Sequence, residues 1–501
     1  MQSALSYPDW KAPAEDGKTL IWPDNAAILS QTRENLKRLS TTEVRIGGLP
    51  LNELRRLQRA ALGHADDAQP IVATGHQTEL IHAGVWVKHV LINAAAKLLN
   101  GRAIQFAVDT DGPKHLTLRW PGGGVAITDD PQITSAAWCG QLNAPSAAHI
   151  VRVADCFMDA AHQWDFQPLV PAIIASLRAG ADESRTLSEA LMQANHDLDL
   201  SLGLETLAKL VSPMLVEEPY LAFVHHLMSD ARTFAGVYNS ALADYRRLHK
   251  TKSPSRPMPD LFVSEGSVEA PFWLDNLTDG TRSRPSVFPV DDGFVLELLD
   301  EQEFFFRAAD GFEAASKLGE WLRATKHRLS PRALTLTTFL RMLVADNFVH
   351  GIGGGRYDQV SDDIMRNYFK IEPPAFSVTT ATLFFPGAIT RQRVCLPCVL
   401  QEGHRLRHAV LGERKKAMIA QINSLPRNSI KRQAAFATMH RERKARLVND
   451  PRIIQWEKRF VEAQARDHED QMFFDRELFF AVQSRQRLID MMERYDAAFR
   501  E

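Results

Sequence analysis

The stretch PIVATGHQTELIHAGVWVKHVLINAAAKLLNGRAIQFAVDTD, residues 70–111, decides the fold. It opens on a short apolar run, residues 70–75, rich in β-branched side chains and ending at Gly75. Such a run suits a strand buried on both faces. Residues 85–99 are rich in Ala and Leu and free of Gly and Pro, which predicts a helix, and Asn100-Gly101 supplies its C-cap. Residues 103–109 form a second apolar run that ends in acid. Strand, loop, helix and strand in this order make a βαβ unit with a right-handed crossover. The expected class is therefore α/β, with a Rossmann-like parallel sheet as the core.

Ligands of open α/β sheets bind beyond the carboxyl ends of the strands, beside helix N-termini that favour anions. His76, Gln77 and His82 follow the first strand at that position. Asp109 and Asp111 follow the second, with His115 just beyond. Acids and histidines converging on one sheet edge suit acid–base chemistry or metal binding. No compact metal-ligand spacing such as HExxH accompanies them, so no metal is assigned. The plainer alternative is an Asx-rich turn with histidines that cap loops.

A second segment, FVHGIGGGRYDQVSDD (residues 348–363), carries Gly353, Gly354 and Gly355. Such glycines let backbone approach a ligand and offer N–H groups to an anion. His350, Arg356, Tyr357 and Asp358 flank them and can bind phosphate, carboxylate or a ribose hydroxyl. Residues 336–349 read as an apolar helix, which would put the glycines between two helices. In that setting they match neither a P-loop nor the dinucleotide fingerprint. The alternative is a helix–helix turn with an Arg–Asp surface pair.

Further out, residues 1–68 read as irregular chain followed by helices, and residues 116–128 as a hairpin around PGGG. Residues 168–250 are mainly helical in pattern, residues 253–259 a Pro-punctuated linker, and residues 272–299 a small antiparallel β insert. Residues 376–385 suit a strand. Domain boundaries are expected at 1–68, 69–400 and 401–501. The last segment is a helical arm in which 405–424 and 455–499 are long amphipathic runs, two helices joined near Leu425-Pro426 or near Asn449-Asp450-Pro451 as an antiparallel hairpin. Such an arm is a candidate surface for a homodimer.

The chain of 501 residues is 45 % hydrophobic and 24 % charged, which excludes disordered and collagen-like classes. Its 59 Lys and Arg against 61 Asp and Glu leave no global basic field for nucleic acid. The charge is uneven. Residues 401–501 hold 21 basic and 15 acidic side chains, yet the basic stretch at 430–447 reads as a solvated helix face. No run approaches a membrane span, and the N-terminus does not resemble a signal peptide. Four cysteines make no disulfide framework, so a cytoplasmic setting is expected. Cys395-Leu-Pro-Cys398 is a lone CxxC and is read as a chance pair rather than as a redox helix start.

Taken in order, these motifs resemble those of the bacillithiol-biosynthesis cysteine ligases. The loop Gly75-His76-Gln77 stands where that family has Gly-Gln-Gln. Trp86 and Lys88 match an aromatic and a lysine of the next helix, Asp109-Thr110-Asp111 with His115 an acid–histidine cluster, and Gly353-Gly354-Gly355-Arg356 a late glycine loop whose Glu is absent here. The resemblance implies a Rossmann-like core related to class I nucleotidyltransferases, with inserted modules and a coiled-coil arm that dimerises. It implies a carbon–nitrogen ligase or transferase acting on a small, carboxylate-bearing or amino-sugar metabolite. His76, His82, Asp109 and Asp111 would then be catalytic. Gln77, Lys88, His115, His350, the three glycines, Arg356, Tyr357 and Asp358 would bind substrate, with ATP or ADP as candidate cofactor. A nucleotidyltransferase-like enzyme and a non-catalytic scaffold that keeps the fold are the alternatives. His82-Ala83-Gly84 faintly matches HxGH, but no KMSKS-like lysine loop is present.

Overall fold

A computed structural model describes residues 9–180, 185–298 and 302–500. The expectations for residues 1–8 and for Leu299, the last residue of the β insert, lie outside the described residues. The chain divides into two compact units. The first comprises residues up to 119, 124–383 and those from 476 onward. The second comprises 120–123 and 384–475. The C-terminal arm was placed at 401–501, whereas residues from 476 onward belong to the first unit.

The first unit is built on a six-stranded sheet: β1 (Thr19–Trp22), β2 (Ile71–Gln77), β3 (Arg102–Val108), β4 (Thr206–Leu210), β5 (Asn347–His350) and β6 (Ser377–Ala381), in spatial order β1-β6-β5-β2-β3-β4. Strands β2 to β6 run parallel, and β1 pairs antiparallel with β6 at the edge. Among the parallel strands the chain runs outward from β2 to β3 and β4, then returns to β5 and β6 on the other side. That is a Rossmann-like order, and its direction reverses between β2 and β5. The α/β expectation is met.

The β2–β3 unit forms as read. The helix α1 (Ala83–Leu99) connects the strands, and Asn100 takes the left-handed conformation at its end, where its N–H reaches Ala96 O. Gly101 is needed because a Cβ there would lie 2.6 Å from Pro70 O. Ile71, Ala73, Ile104 and Phe106 bury one sheet face in a large apolar core with Phe223, Tyr220 and Phe339. Each buried Ile or Phe side chain contributes about 1.5–3 kcal/mol.

Two elements differ from expectation. The apolar run at 336–349 is not one helix: a helix ends at Leu343 and β5 begins at Asn347. Between them Asp346 accepts from Arg55, Arg59 and the backbone N–H of Ile71, which pins the start of β2 beside β5. Periodicity alone does not separate a buried strand from a buried helix in such a run. Strand β4 was missed inside the segment read as helical. It is a sheet edge along which exposure, not polarity, alternates, and Leu207 is 38 % exposed.

The hairpin (Thr117–Trp120, Gly123–Ala126) and the antiparallel strands between Phe272 and Glu297 are present. In the second unit, Leu396–Ala409, Gly412–Asn423, Ile430–Val448 and Pro451–Phe473 are helices. Helices end at both expected junctions, but the two expected runs are not single helices: 405–424 is interrupted at Val410-Leu411, and 455–499 is divided between Pro451–Phe473 and, in the first unit, Arg485–Ala498. Ile430–Val448 buries none of its residues, as a solvated face requires. Among the described residues no helix is long and apolar enough to cross a membrane.

Candidate functional site

The carboxyl ends of β2, β3 and β5 share one rim. His76 pairs in register with Ala107, and Val349 with Thr74, so His76, Asp109 and His350 all stand at that edge. The glycine segment stands there too, but not between helices. It joins β5 directly to helix α3 (Ile352–Asn367), with Gly351 as N-cap and Gly353, Gly354 and Gly355 in the first turn. This is a strand-to-helix junction at the sheet's switch point, the setting in which ligands of open α/β sheets bind.

The glycines divide by role. A Cβ on Gly354 would meet His350 Nδ1 at 2.8 Å, and one on Gly355 would meet Val378 Cγ2 at 2.5 Å. These two let α3 pack against the sheet. Nothing lies within 4 Å of a Cβ on Gly351 or Gly353, so these two border open space.

His350 and Asp358 are anchoring residues in this structure. His350 Nε2 donates to Asp358 Oδ2 at 2.9 Å, Arg341 Nη1 donates to the same oxygen at 2.6 Å, and Arg341 also pairs with Asp362 at 2.8 Å. Burial pushes the Asp358 carboxyl up, but Arg341 and His350 outweigh it and hold it well below the usual range. Arg356 turns to the N-terminal segment, donating to Asp9 and Trp10 O, and Tyr357 is 38 % exposed. These contacts lead away from the rim cluster.

On the β2 side polar groups gather around Lys88. Its Nζ donates to Gly75 O at 2.7 Å although the residue is only 4 % exposed. Burial lowers its pKa to about 8, partly offset by Glu79. The same ammonium acts on His76, Glu79 and His82. His76 is held well below the ordinary histidine value by burial and then by Lys88. Burial and then Arg476 take His82 down to about 4. Glu79 is raised by burial, against His115 and Lys88, and its Oε2 is buried with no hydrogen-bond partner.

Behind His76 runs a hydrogen-bonded line. His76 Nε2 lies 2.9 Å from His89 Nε2, His89 Nδ1 lies 2.8 Å from Asp199 Oδ2, and Trp86 Nε1 donates to Asp199 Oδ1 at 2.9 Å. Asp199 sits on helix α2 (Leu187–Leu202). Donor and acceptor capacity then assigns the protons. Gln77 O only accepts, so His76 Nδ1, 2.8 Å away, carries a proton. Neutral His76 then accepts at Nε2 from His89, whose other ring nitrogen faces Asp199. Both ring nitrogens of His76 thus hold protein partners.

The remaining expected residues lie close by in other roles. Asp109 Oδ1 accepts from Ser212 N at 2.9 Å, a buried cap for the chain leaving β4. Gln77 Nε2 donates to Asp111 Oδ2 at 2.6 Å, tying the two loops together. His82 is the N-cap of α1 and accepts from Gly84 N through Nδ1, so its proton is on Nε2. His115 takes a left-handed φ of 47°. His82, His115, Glu79, Thr117, Arg119 and Glu477 are among the residues lining a polar cavity of about 320 Å³. Among the described residues no group of three or more His, Cys, Asp or Glu could hold a metal ion.

Sequence reading missed Glu79, His89 and Asp199. Lys88, His89 and Asn93 inside an otherwise apolar helix were the available signal for His89. Asp199 lies 110 residues away, with no local signal.

Fold and site together define an α/β protein with a Rossmann-like sheet and polar groups gathered at its switch-point rim. No protein-family model matches the chain, and no curated protein does either.

Proposed function

We propose that this chain is a small-molecule enzyme of the ligase or transferase type, working at the rim of β2, on the lines of the bacillithiol cysteine ligases that its motifs resemble. The observation that carries this reading is the gathering around Lys88: a buried ammonium next to two histidines kept neutral and a carboxyl with an unpartnered oxygen, beside a polar cavity. Burying such groups costs stability, and perturbed groups cluster where chemistry needs them.

Each group has a role in this reading. Lys88 and the open first turn of α3 hold an anionic part of the substrate, a carboxylate or phosphate. Glu79 accepts the proton that an attacking amine sheds, since a raised carboxyl is a better base near neutral pH. His82 donates from Nε2 to the oxygen that gains charge. The His89–Asp199 pair holds His76 in one tautomer against the rim. ATP or ADP is the first candidate for the anionic ligand, and the residues present suit its phosphates.

Thermal unfolding with ATP, ADP or an amino-sugar acid tests this. Ligand that binds only the folded state raises stability by RT ln(1 + [L]/Kd), about 2.7 kcal/mol at a hundred times Kd. We expect a rise with at least one of the three, lost in Lys88→Met, whose own stability at neutral pH is unchanged or higher by on the order of 1 kcal/mol because no charge is then buried. No rise with any of them, together with co-purification of a single protein partner, supports the scaffold reading instead.

A further inference from the structure

The second unit contains a feature that the rim chemistry does not use. Cys395 and Cys398 form a disulfide, and Cys395 is the N-cap of the helix Leu396–Ala409. Both cysteines are exposed. Cys395 Sγ accepts from Cys398 N at 3.3 Å. The reading as a chance pair rather than a helix start is thus corrected: the CxxC opens a 14-residue helix directly, with Pro397 in its first turn.

We infer that Cys395-Leu-Pro-Cys398 is a redox-active site that exchanges with small anionic disulfides. Four observations converge. A thiolate at Cys395 is stabilised by the helix N-terminus and by the Cys398 N–H already aimed at its sulfur. Arg393 precedes it by two residues, adding positive charge that favours a thiolate and attracts an anionic partner, whereas the charge of Arg391 is paired with Asp470. The segment before it is held in place, since Asp470 accepts from Val394 N at 3.1 Å and from Arg391 Nε at 2.5 Å. The helix itself is fixed by Trp456, whose Nε1 donates to Val399 O at 2.7 Å and whose ring packs on Gly403.

A structural staple explains the pair less well. The sulfurs join residues only three apart, so the bond removes little freedom from the unfolded chain. Helix and preceding segment are anchored by Trp456 and Asp470 whether or not the bond exists.

The exchange balances as follows. In the reduced protein the Cys395 thiolate attacks a disulfide R–S–S–R, forming Cys395–S–S–R and releasing one RS⁻, which takes a proton. The Cys398 thiolate then attacks Cys395 Sγ and releases the second RS⁻. Two electrons pass from the protein dithiol to the partner, giving the Cys395–Cys398 disulfide and two RSH. The reverse direction consumes two thiols.

The test uses the full-length protein with Cys156, an exposed free cysteine, as internal reference. After reduction and removal of reductant, alkylation by iodoacetamide slightly below neutral pH is followed by peptide mass spectrometry. Cys395 is expected to react at least about 5-fold faster than Cys156. With oxidised glutathione as the probe, wild type is expected to regain its disulfide and release two glutathiones. Cys398→Ser is expected to stop as a stable mixed disulfide at Cys395. Equal alkylation rates, or a Cys398→Ser protein that forms no mixed disulfide, overturns the inference. So does a reduced wild type that melts well below the oxidised form without exchanging, which is what a staple would do. None of these outcomes bears on the rim site.

Discussion

The two strands that meet at the switch point are built alike and used differently. Each carries a histidine at its carboxyl end and leads to a helix, β2 with His76 before α1 and β5 with His350 before α3. On the β5 side cations and carboxylates pair at close range: His350 and Arg341 share Asp358 Oδ2, and Arg341 also reaches Asp362, although Asp358 Oδ1 is buried without a hydrogen-bond partner. On the β2 side Lys88 has a backbone carbonyl as its hydrogen-bond acceptor, and Glu79 has an oxygen with none. One half of the rim is therefore a closed ion network that fixes a helix. The other keeps groups out of balance, the condition under which protons can be moved. The β5 half contributes bare backbone at Gly351 and Gly353 instead.

The largest expected effect breaks the closed half. Asp358→Ala leaves Arg341 and His350 short of a buried counter-charge and should destabilise the fold by about 3–5 kcal/mol, measured by urea unfolding. An effect within a few tenths of a kcal/mol would show that the network does not anchor α3. Gly355→Ala comes next. Its Cβ would press on Val378 and the Trp10 ring, so a loss of about 1–3 kcal/mol is expected despite the better helix propensity of Ala.

The open half is tested by pH. Because folded His82 titrates at about 4, the unfolded chain binds a proton that the folded protein refuses between the ordinary histidine value of about 6.5 and that point. Its contribution to stability is therefore present above that window and is lost as pH falls through it. His82→Asn keeps an N-cap acceptor for Gly84 N and removes the titrating ring. The fall in urea midpoint between about pH 7 and about pH 5 should become shallower. An unchanged slope would mean that His82 is not held neutral.

What was legible in the sequence follows the range of the interactions. The unit from β2 to β3 was readable because its signals are local: β-branched residues, a Gly-free helix and an Asn-Gly stop. The rim placement of His76, Gln77, Asp109 and Asp111 followed from strand polarity alone. Strand β5 was read as helix because an apolar run looks the same either way, and that error moved the glycines from a strand–helix junction to a helix–helix turn. Their separate roles were not readable, since Gly354 and Gly355 answer to His350 and Val378, whereas Gly353 faces nothing. Glu79 looked like an ordinary loop acid. The line from His76 to Asp199 joins β2 to α2 and exists only once the helices pack on the sheet.

The account rests on the claim that an anionic ligand approaches the first turn of α3 across from Lys88. The direct test is ATP-dependent thermal stabilisation of wild type and Gly353→Ala, side by side. Without ligand the variant should be as stable as wild type or higher by about 0.5–1 kcal/mol, because its methyl enters open space on a helix. With ATP, wild type should gain stability and the variant should not. Equal gains in both, or none in wild type, would contradict the claim.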